Sequence, residues 1–118
     1  GGTSSKFEEI YEIVLQAQLA AENAVEPGMM SSELDGIARA VIEKEGYGHS
    51  FGHGLGHGVG LDIHEKPMLV PSSTDTIEVG SIFTVEPGIY LPEWGGVRIE
   101  DIVLMEQGGS KVLSTSPK

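Results

Sequence analysis

The sequence predicts an α+β fold in which two amino-terminal helices pack on one face of a mostly antiparallel sheet. Apolar residues recur at helical spacing as far as Gly46, and short β-favouring runs separated by Gly and Pro follow from Tyr47 onward. The length of 118 residues fits one domain, and neither an internal repeat nor a low-complexity linker divides it.

The first helix is predicted over about residues 5–25. Ser5 and Glu8 form a capping-box pattern at its start, and the helix breaker Glu26-Pro27-Gly28 follows its end. Six apolar side chains share one helical face: Phe7, Ile10, Tyr11, Val14, Leu15 and Leu19.

The second helix is predicted to have Ser31 or Ser32 as its cap and Gly46 as its stop. Five apolar side chains recur at helical spacing between these two ends: Leu34, Ile37, Ala38, Val41 and Ile42. This helix therefore has one apolar face available for packing.

The second half of the chain is predicted to form strands and turns. Four runs have strand character: residues 58–63, 82–86, 97–104 and 111–114. Pro87-Gly88 and residues 93–96 are predicted as turns, and Gly108-Gly109 is predicted as a hairpin turn before the last strand.

The composition excludes several function classes. With 18 Asp and Glu against 7 Lys and Arg, the formal charge of -11 argues against binding of nucleic acid or of anionic membranes. The chain has no cysteine, which excludes disulfide and thiolate chemistry and suits a cytoplasmic location. It also has no visible signal peptide. The sequence begins with GGTSS and not with an initiator Met, so we expect this end to be either processed or left over from expression. We also expect the sequence to be a piece of a longer protein.

Three of the four histidines lie in residues 52–65, GHGLGHGVGLDIHE. In an extended chain His53 and His57 share one face, because the side-chain period is two. Asp62 is out of phase with both and is predicted to be structural. Three imidazoles including His64 in a Gly-rich segment favour a functional site, although a structural role for each histidine stays open.

Two further motifs offer carboxylates. Glu86 ends an apolar run, where a buried carboxylate needs a partner or a metal, and a solvated strand end is the alternative. Arg98 and Glu100 point to one face of a predicted strand, where an exposed ion pair worth less than about 1 kcal/mol is the alternative. Together, one imidazole and two carboxylates are plausible ligands for Zn, Mn, Co or Fe.

The motifs FGHGLGHGVGLDIHE, TVEPGIY and GVRIED, in this order, resemble those of the Xaa-Pro dipeptidases (prolidases) and aminopeptidase P, which are pita-bread metallopeptidases. The resemblance extends back through EIYEIVLQAQLAA and EPGM and covers nearly all of the chain. It implies half of a pita-bread fold, an enzyme of the peptidase class and a centre with two divalent metal ions, which we expect to be Mn, Co or Zn.

The resemblance also implies a role for each matching residue. His57, Glu86 and Glu100 match metal ligands; Glu86 is also the expected general base, and Glu100 is expected to bridge both metals. His53 and His64 match histidines that line the substrate site and stabilise the transition state. Arg98 matches an arginine beside the bridging carboxylate.

The implied chemistry is attack of activated water on the peptide carbonyl of Xaa-Pro dipeptides or of longer peptides with Pro second. The family has two further Asp ligands in an upstream segment that this chain lacks. We therefore expect residues 1–118 to be the carboxy-terminal portion of the catalytic domain, inactive alone, with at most one weakly bound metal. Without the other half of the domain, a sheet edge and apolar surface would be exposed, and we therefore expect a homo-oligomer. The alternative is a non-catalytic pita-bread binding module.

Overall fold

The computed structural model describes residues 2–59 and 66–114 of the chain. Within these residues, α1 (Gly2–Ala24) and α2 (Ser31–Lys44) precede a 3₁₀ turn at Gly48–Ser50. The described strands follow in this order: β1 (Gly56–His57), β2 (Met68–Leu69), β3 (Ile82–Val85), β4 (Gly88–Leu91), β5 (Gly95–Arg98), β6 (Asp101–Glu106) and β7 (Gly109–Val112). The strand pairs are antiparallel, and the α+β prediction is confirmed.

Helix α1 begins at Gly2, so Ser5 lies inside the helix and the capping-box prediction is wrong. A cap needs a non-helical backbone, whereas each residue added to an existing helix gains one hydrogen bond. The predicted end of α1 near Pro27-Gly28 is close to the observed end at Ala24.

Backbone hydrogen bonds, without a serine side chain, cap the start of helix α2, so the serine-cap prediction is wrong. Met30 is the capping residue and has an extended backbone without a side-chain cap, while Ser31 is already helical and buried. The Ser31 N–H donates to the Asp75 carbonyl at 2.8 Å, and the Met30 carbonyl accepts from the Glu33 N–H at 3.0 Å. Neighbouring backbone therefore replaces the hydroxyl cap.

The predicted stop of α2 at Gly46 is confirmed. Gly46 has a positive φ of 91°, which glycine adopts without strain. Its N–H donates to the Glu43 carbonyl at 2.9 Å, and the Tyr47 N–H donates to the Ile42 carbonyl at 3.1 Å. These two bonds form a Schellman motif, which satisfies carbonyls that the helix end leaves free.

Strands β3 to β6 form one long antiparallel ribbon with a break in the middle. Val85 pairs with Asp101 on one side of the break and Gly88 with Arg98 on the other, in a single continuous register. The predicted turn at Pro87-Gly88 is therefore wrong, because the chain runs straight through and reverses at residues 92–94. The predicted strand 97–104 is likewise divided at residues 99–100. Pro87 has no N–H for the ladder, so it interrupts the pairing without reversing the chain.

The remaining strands are short. The β6–β7 hairpin turns at Gln107-Gly108, and β7 begins two residues earlier than the predicted strand 111–114. In place of the predicted strand 58–63, β1 pairs with β2, with Gly56 opposite Leu69. Residues 60–63 of that predicted strand lie outside the described residues.

Helix α1 lies against the ribbon and contacts β3, β4 and β5, while α2 packs on α1 and contacts β2. The largest fully buried apolar side chains come from both layers: Ile10, Val14, Leu34, Ile42, Leu55, Leu69, Ile77, Phe83, Val85, Ile89 and Met105. Among the described residues, no helix has the length and apolar character needed to cross a membrane.

Candidate metal centre

The predicted site residues meet where the ribbon is broken. His57 comes from β1, Glu86 follows β3, and Arg98 ends β5. A cavity of about 450 Å³ opens between them, within the size range of small-molecule sites. Two glycines and six side chains line it: His53, His57, Met68, Val70, Glu86 and Arg98.

His57 and Glu86 face each other across this cavity. The distance from His57 Nε2 to Glu86 Oε2 is 3.6 Å, longer than a hydrogen bond. His57 Nδ1 lies 2.9 Å from the Gly58 carbonyl, which can only accept, so Nδ1 donates this bond. In the neutral tautomer that donates it, Nε2 faces the carboxylate with a lone pair, as a metal ligand requires.

This pair fits a divalent cation. Zinc binds imidazole nitrogen and carboxylate oxygen at about 2.0–2.2 Å, which places two tetrahedral ligand atoms about 3.4 Å apart. The observed 3.6 Å is close to that separation. The carbonyl bond on Nδ1 is the outer contact that usually orients a ligating imidazole.

Glu100 lies across the ribbon from Glu86, because the pairs on both sides of the break share one register. Carboxylates directly opposite each other are destabilising unless a cation lies nearby. Glu100 is exposed, and within residues 2–59 and 66–114 no three His, Asp or Glu side chains come close enough to form a ready metal cluster. The structure thus unites His57 with Glu86 and leaves Glu100 at the edge of the site.

The position of His57 depends on close packing of two backbones. A Cβ atom on Gly56 would lie 1.9 Å from the Thr84 carbonyl oxygen, so β3 touches β1 directly. The His57 N–H donates to Thr84 Oγ1 at 3.0 Å, and the Glu86 N–H donates to the Leu55 carbonyl at 2.7 Å. These bonds fix the His57 backbone relative to the Glu86 backbone.

Arg98 extends its guanidinium towards the same carboxylate. Arg98 Nη1 lies 3.7 Å from Glu86 Oε1, and the Arg98 side chain is 53% exposed. Such an exposed pair adds less than about 1 kcal/mol to stability. The arginine was expected beside Glu100, whereas its recorded ion pair in the structure is with Glu86.

His53 differs from His57 in its hydrogen bonds. Its Nδ1 lies 2.7 Å from the Gly54 carbonyl and its Nε2 lies 2.7 Å from the Tyr90 hydroxyl, so both ring nitrogens are engaged. This arrangement suits a residue of the cavity wall better than a metal ligand. His64 and Asp62 lie outside the described residues.

The Asp35–Arg39 pair on α2 supports the loop that carries His53, and neither residue was predicted as part of the site. Arg39 Nε and Nη2 donate to the two carboxylate oxygens of Asp35 at 2.9 and 3.0 Å. Arg39 also donates to the carbonyls of Phe51 and His53 at 3.0 and 2.9 Å, and Asp35 accepts from the Leu55 N–H at 2.9 Å. The sequence could have indicated this ion pair through the spacing of four residues between Asp35 and Arg39 on the predicted helix.

Several known proteins are similar in sequence to this chain. The sequence pattern that defines metallopeptidase family M24 matches residues 1–107. The Xaa-Pro dipeptidase of Pyrococcus furiosus is 50% identical over all 118 residues, which cover 34% of that relative. The chain thus spans about a third of the length of the curated relatives it matches.

Two solved structures are similar over nearly the whole chain. The prolidase from Pyrococcus furiosus has a TM-score of 0.92 and 51% identity, with 96% of this chain and 34% of that chain covered. The Xaa-Pro dipeptidase from Bacillus anthracis has a TM-score of 0.91 and 49% identity, with 96% and 32% covered. These similarities confirm the predicted half of a pita-bread fold.

Proposed function

The chain belongs to metallopeptidase family M24, and from this premise we propose that it forms the carboxy-terminal portion of the catalytic domain of an Xaa-Pro peptidase. The names of the relatives, Xaa-Pro dipeptidase and prolidase, support this substrate class. The covered third of their length supports the assignment of residues 1–118 to one portion of a larger catalytic unit. Substrates are dipeptides with Pro second, or longer peptides of that type.

The facing pair of His57 Nε2 and Glu86 Oε2 is the observation that carries this proposal. We assign His57, Glu86 and Glu100 as ligands of a divalent metal, with Mn, Co or Zn as candidates. Two metal ions are proposed for the complete centre. A divalent cation at such a site lowers the pKa of water and polarises a peptide carbonyl.

The side chains of the chain itself have separate tasks in this proposal. Glu86 is half-buried, with Oε1 towards Arg98 and Oε2 towards His57, and it accepts a proton from the attacking water. Before that proton transfer, Arg98 partly offsets the negative charge of the Glu86 carboxylate. His53, held by the Tyr90 hydroxyl, lines the cavity in which we place the peptide, and we assign His64 a role in substrate binding from its match in the family.

A cobalt titration followed by visible absorption tests the ligand set. Loss of an outer contact typically weakens metal binding about 10–100-fold. Loss of a ligand itself, in His57→Ala, Glu86→Gln or Glu100→Gln, is therefore expected to weaken Co²⁺ binding by at least about 10-fold. Glu106→Gln is the matched control, because Glu106 is an exposed carboxylate of β6 away from the cavity. Equal Co²⁺ affinity of Glu86→Gln and Glu106→Gln would refute the assignment.

Turnover distinguishes the peptidase from a non-catalytic binding module. Because the chain supplies three of the five expected ligands, we expect it to hydrolyse Xaa-Pro dipeptides with Mn²⁺ or Co²⁺ barely or not at all. Robust turnover by these 118 residues alone would contradict that expectation. In a longer polypeptide with all five ligands, a Glu86→Ala variant that keeps full turnover would favour the binding module.

We also propose that the chain self-associates. Several large apolar side chains are exposed, including Phe7 at 49% and Val79 at 55%. Contact between two copies would remove such surface from water. Light scattering that shows a monomer at high concentration would refute this, and cell fractionation tests the cytoplasmic location that the lack of cysteine favours.

A further inference from the structure

Gln18 is a buried polar side chain that joins α1 to both halves of the broken ribbon. It is 0% exposed, and its Nε2 donates to the Val85 carbonyl at 3.2 Å and to the Ile99 carbonyl at 3.3 Å. Val85 immediately precedes Glu86, and Ile99 immediately precedes Glu100. One amide group thus contacts both strands next to the two carboxylates assigned to the metal.

The need for this contact follows from Pro87. The Ile99 N–H donates to the Pro87 carbonyl at 3.3 Å, as expected for a hydrogen-bonded pair in an antiparallel ladder. The reciprocal bond would run from residue 87 to the Ile99 carbonyl, but proline has no N–H. The Gln18 amide supplies the donor that this carbonyl lacks.

The orientation of the amide is determined by its two partners. Both neighbours of Nε2 are carbonyl oxygens, so exchange of Nε2 with Oε1 would place three acceptors together without a proton. Gln18 Oε1 has no hydrogen-bond partner among the described residues, and the hydrogen bonds given for this amide are the two donated by Nε2. An unsatisfied buried polar atom is unfavourable, and the Nε2 bonds offset it.

We propose that Gln18 is a positioning residue for the metal centre: its side-chain amide replaces the ladder bond that Pro87 cannot make and thereby fixes the separation of Glu86 and Glu100. This inference rests on the proposed function, since it assigns those two carboxylates to the metal. Pro87 permits the break in the ribbon, and Gln18 keeps the two edges of the break in register.

The first test uses NMR on the metal-free chain. Gln18→Met keeps the side-chain volume but removes the donor, and Gln16→Met is the control because Gln16 is exposed and bonds only to Glu12 among the described residues. We expect the backbone amide resonances of Glu86 and Glu100 to shift in Gln18→Met and to stay in place in Gln16→Met. Unchanged resonances in Gln18→Met would overturn the inference.

The second test is a rescue. Pro87→Ala restores a backbone N–H opposite Ile99, so in the double variant Gln18→Met/Pro87→Ala the Glu100 amide, which is not next to a substituted residue in sequence, is expected to regain its wild-type resonance. A role in packing alone would not be rescued, because alanine is smaller than proline and lacks its ring. If Gln18→Met does not fold, a folded double variant supports the inference, and a double variant that is equally unfolded overturns it.

Cobalt binding then separates this inference from the proposed function. We expect Gln18→Met to bind Co²⁺ about 10-fold more weakly than the wild type and the double variant to recover most of that loss, since outer contacts typically contribute about 10–100-fold. Unchanged affinity in Gln18→Met, with Glu86→Gln defective, overturns the positioning role alone. Absence of Co²⁺ binding even in a longer polypeptide with all five ligands, with shifted amides in Gln18→Met, overturns the metal assignment and leaves the structural role of Gln18 supported.

Discussion

Replacing Arg39 with methionine is expected to leave a buried carboxylate without its counter-ion. The Asp35 side chain is 1% exposed, and the structure gives its oxygens two guanidinium bonds from Arg39 and one bond from the Leu55 N–H. Methionine retains much of the apolar length of arginine, so the main loss is charge and hydrogen bonding. The same change also removes donors from the carbonyls of Phe51 and His53.

The size of the effect follows from burial. Removal of one partner of a buried ion pair typically lowers stability by about 3–5 kcal/mol, whereas an exposed pair contributes less than about 1 kcal/mol. Domains have an unfolding free energy of about 5–15 kcal/mol, so Arg39→Met should remove a large share of it. Asp35→Asn neutralises the stranded carboxylate and keeps an acceptor for the Leu55 N–H. The double variant Asp35→Asn/Arg39→Met should therefore be more stable than Arg39→Met alone.

Urea unfolding followed by circular dichroism measures these free energies, with Lys44→Met as the control on the exposed face of α2. A loss below about 1 kcal/mol in Arg39→Met would show that the pair behaves like a surface ion pair. A double variant no more stable than Arg39→Met would show that the stranded charge is not the cause. Either result refutes the reasoning.

Three further predictions concern packing, metal and protonation. Gly56→Ala should lower the unfolding free energy by about 1–3 kcal/mol and weaken Co²⁺ binding by displacing His57, whereas Gly52→Ala, which meets no atom within 4 Å, should do neither. Mn²⁺ at 100 times its Kd should stabilise the chain by about 2.7 kcal/mol, and excess EDTA should abolish the resulting rise in Tm. The Tyr47 hydroxyl raises the pKa of Lys6 above 10.5, so in Tyr47→Phe the Lys6 pKa, measured by ¹⁵N NMR, should move back towards 10.5.

Local signals predicted those parts of the fold that depend on neighbouring residues. The stop of α2 at Gly46 was predictable, because a positive φ there requires little more than the glycine itself. The turn at Pro87-Gly88 was not, because the same dipeptide breaks a ladder when a partner strand continues beside it. The start of α2 was missed for a similar reason, since the carbonyl of Asp75 replaces a serine cap.

Some residues of the candidate site were likewise predictable from local sequence signals, and others were not. His57 and Glu86 could be named from their motifs, and the structure places them together. Gln18 could not be named, because a lone polar residue in an amphipathic helix usually faces water, and its partners lie 67 and 81 residues away. Side chains that support a site through distant backbone carbonyls leave no local pattern in the sequence.

The contact of Gly56 with the Thr84 carbonyl has a consequence for how this site can adapt to another cation. Alanine scanning normally probes a residue by deleting atoms, but at position 56 alanine is the enlargement and the native residue is already the smallest one. No substitution there can bring the two strands closer, and each available one drives them apart. Selection or engineering for a cation of different radius would therefore act through the length of the side chains proposed as ligands, such as Asp in place of Glu86, on a main-chain spacing that stays constant.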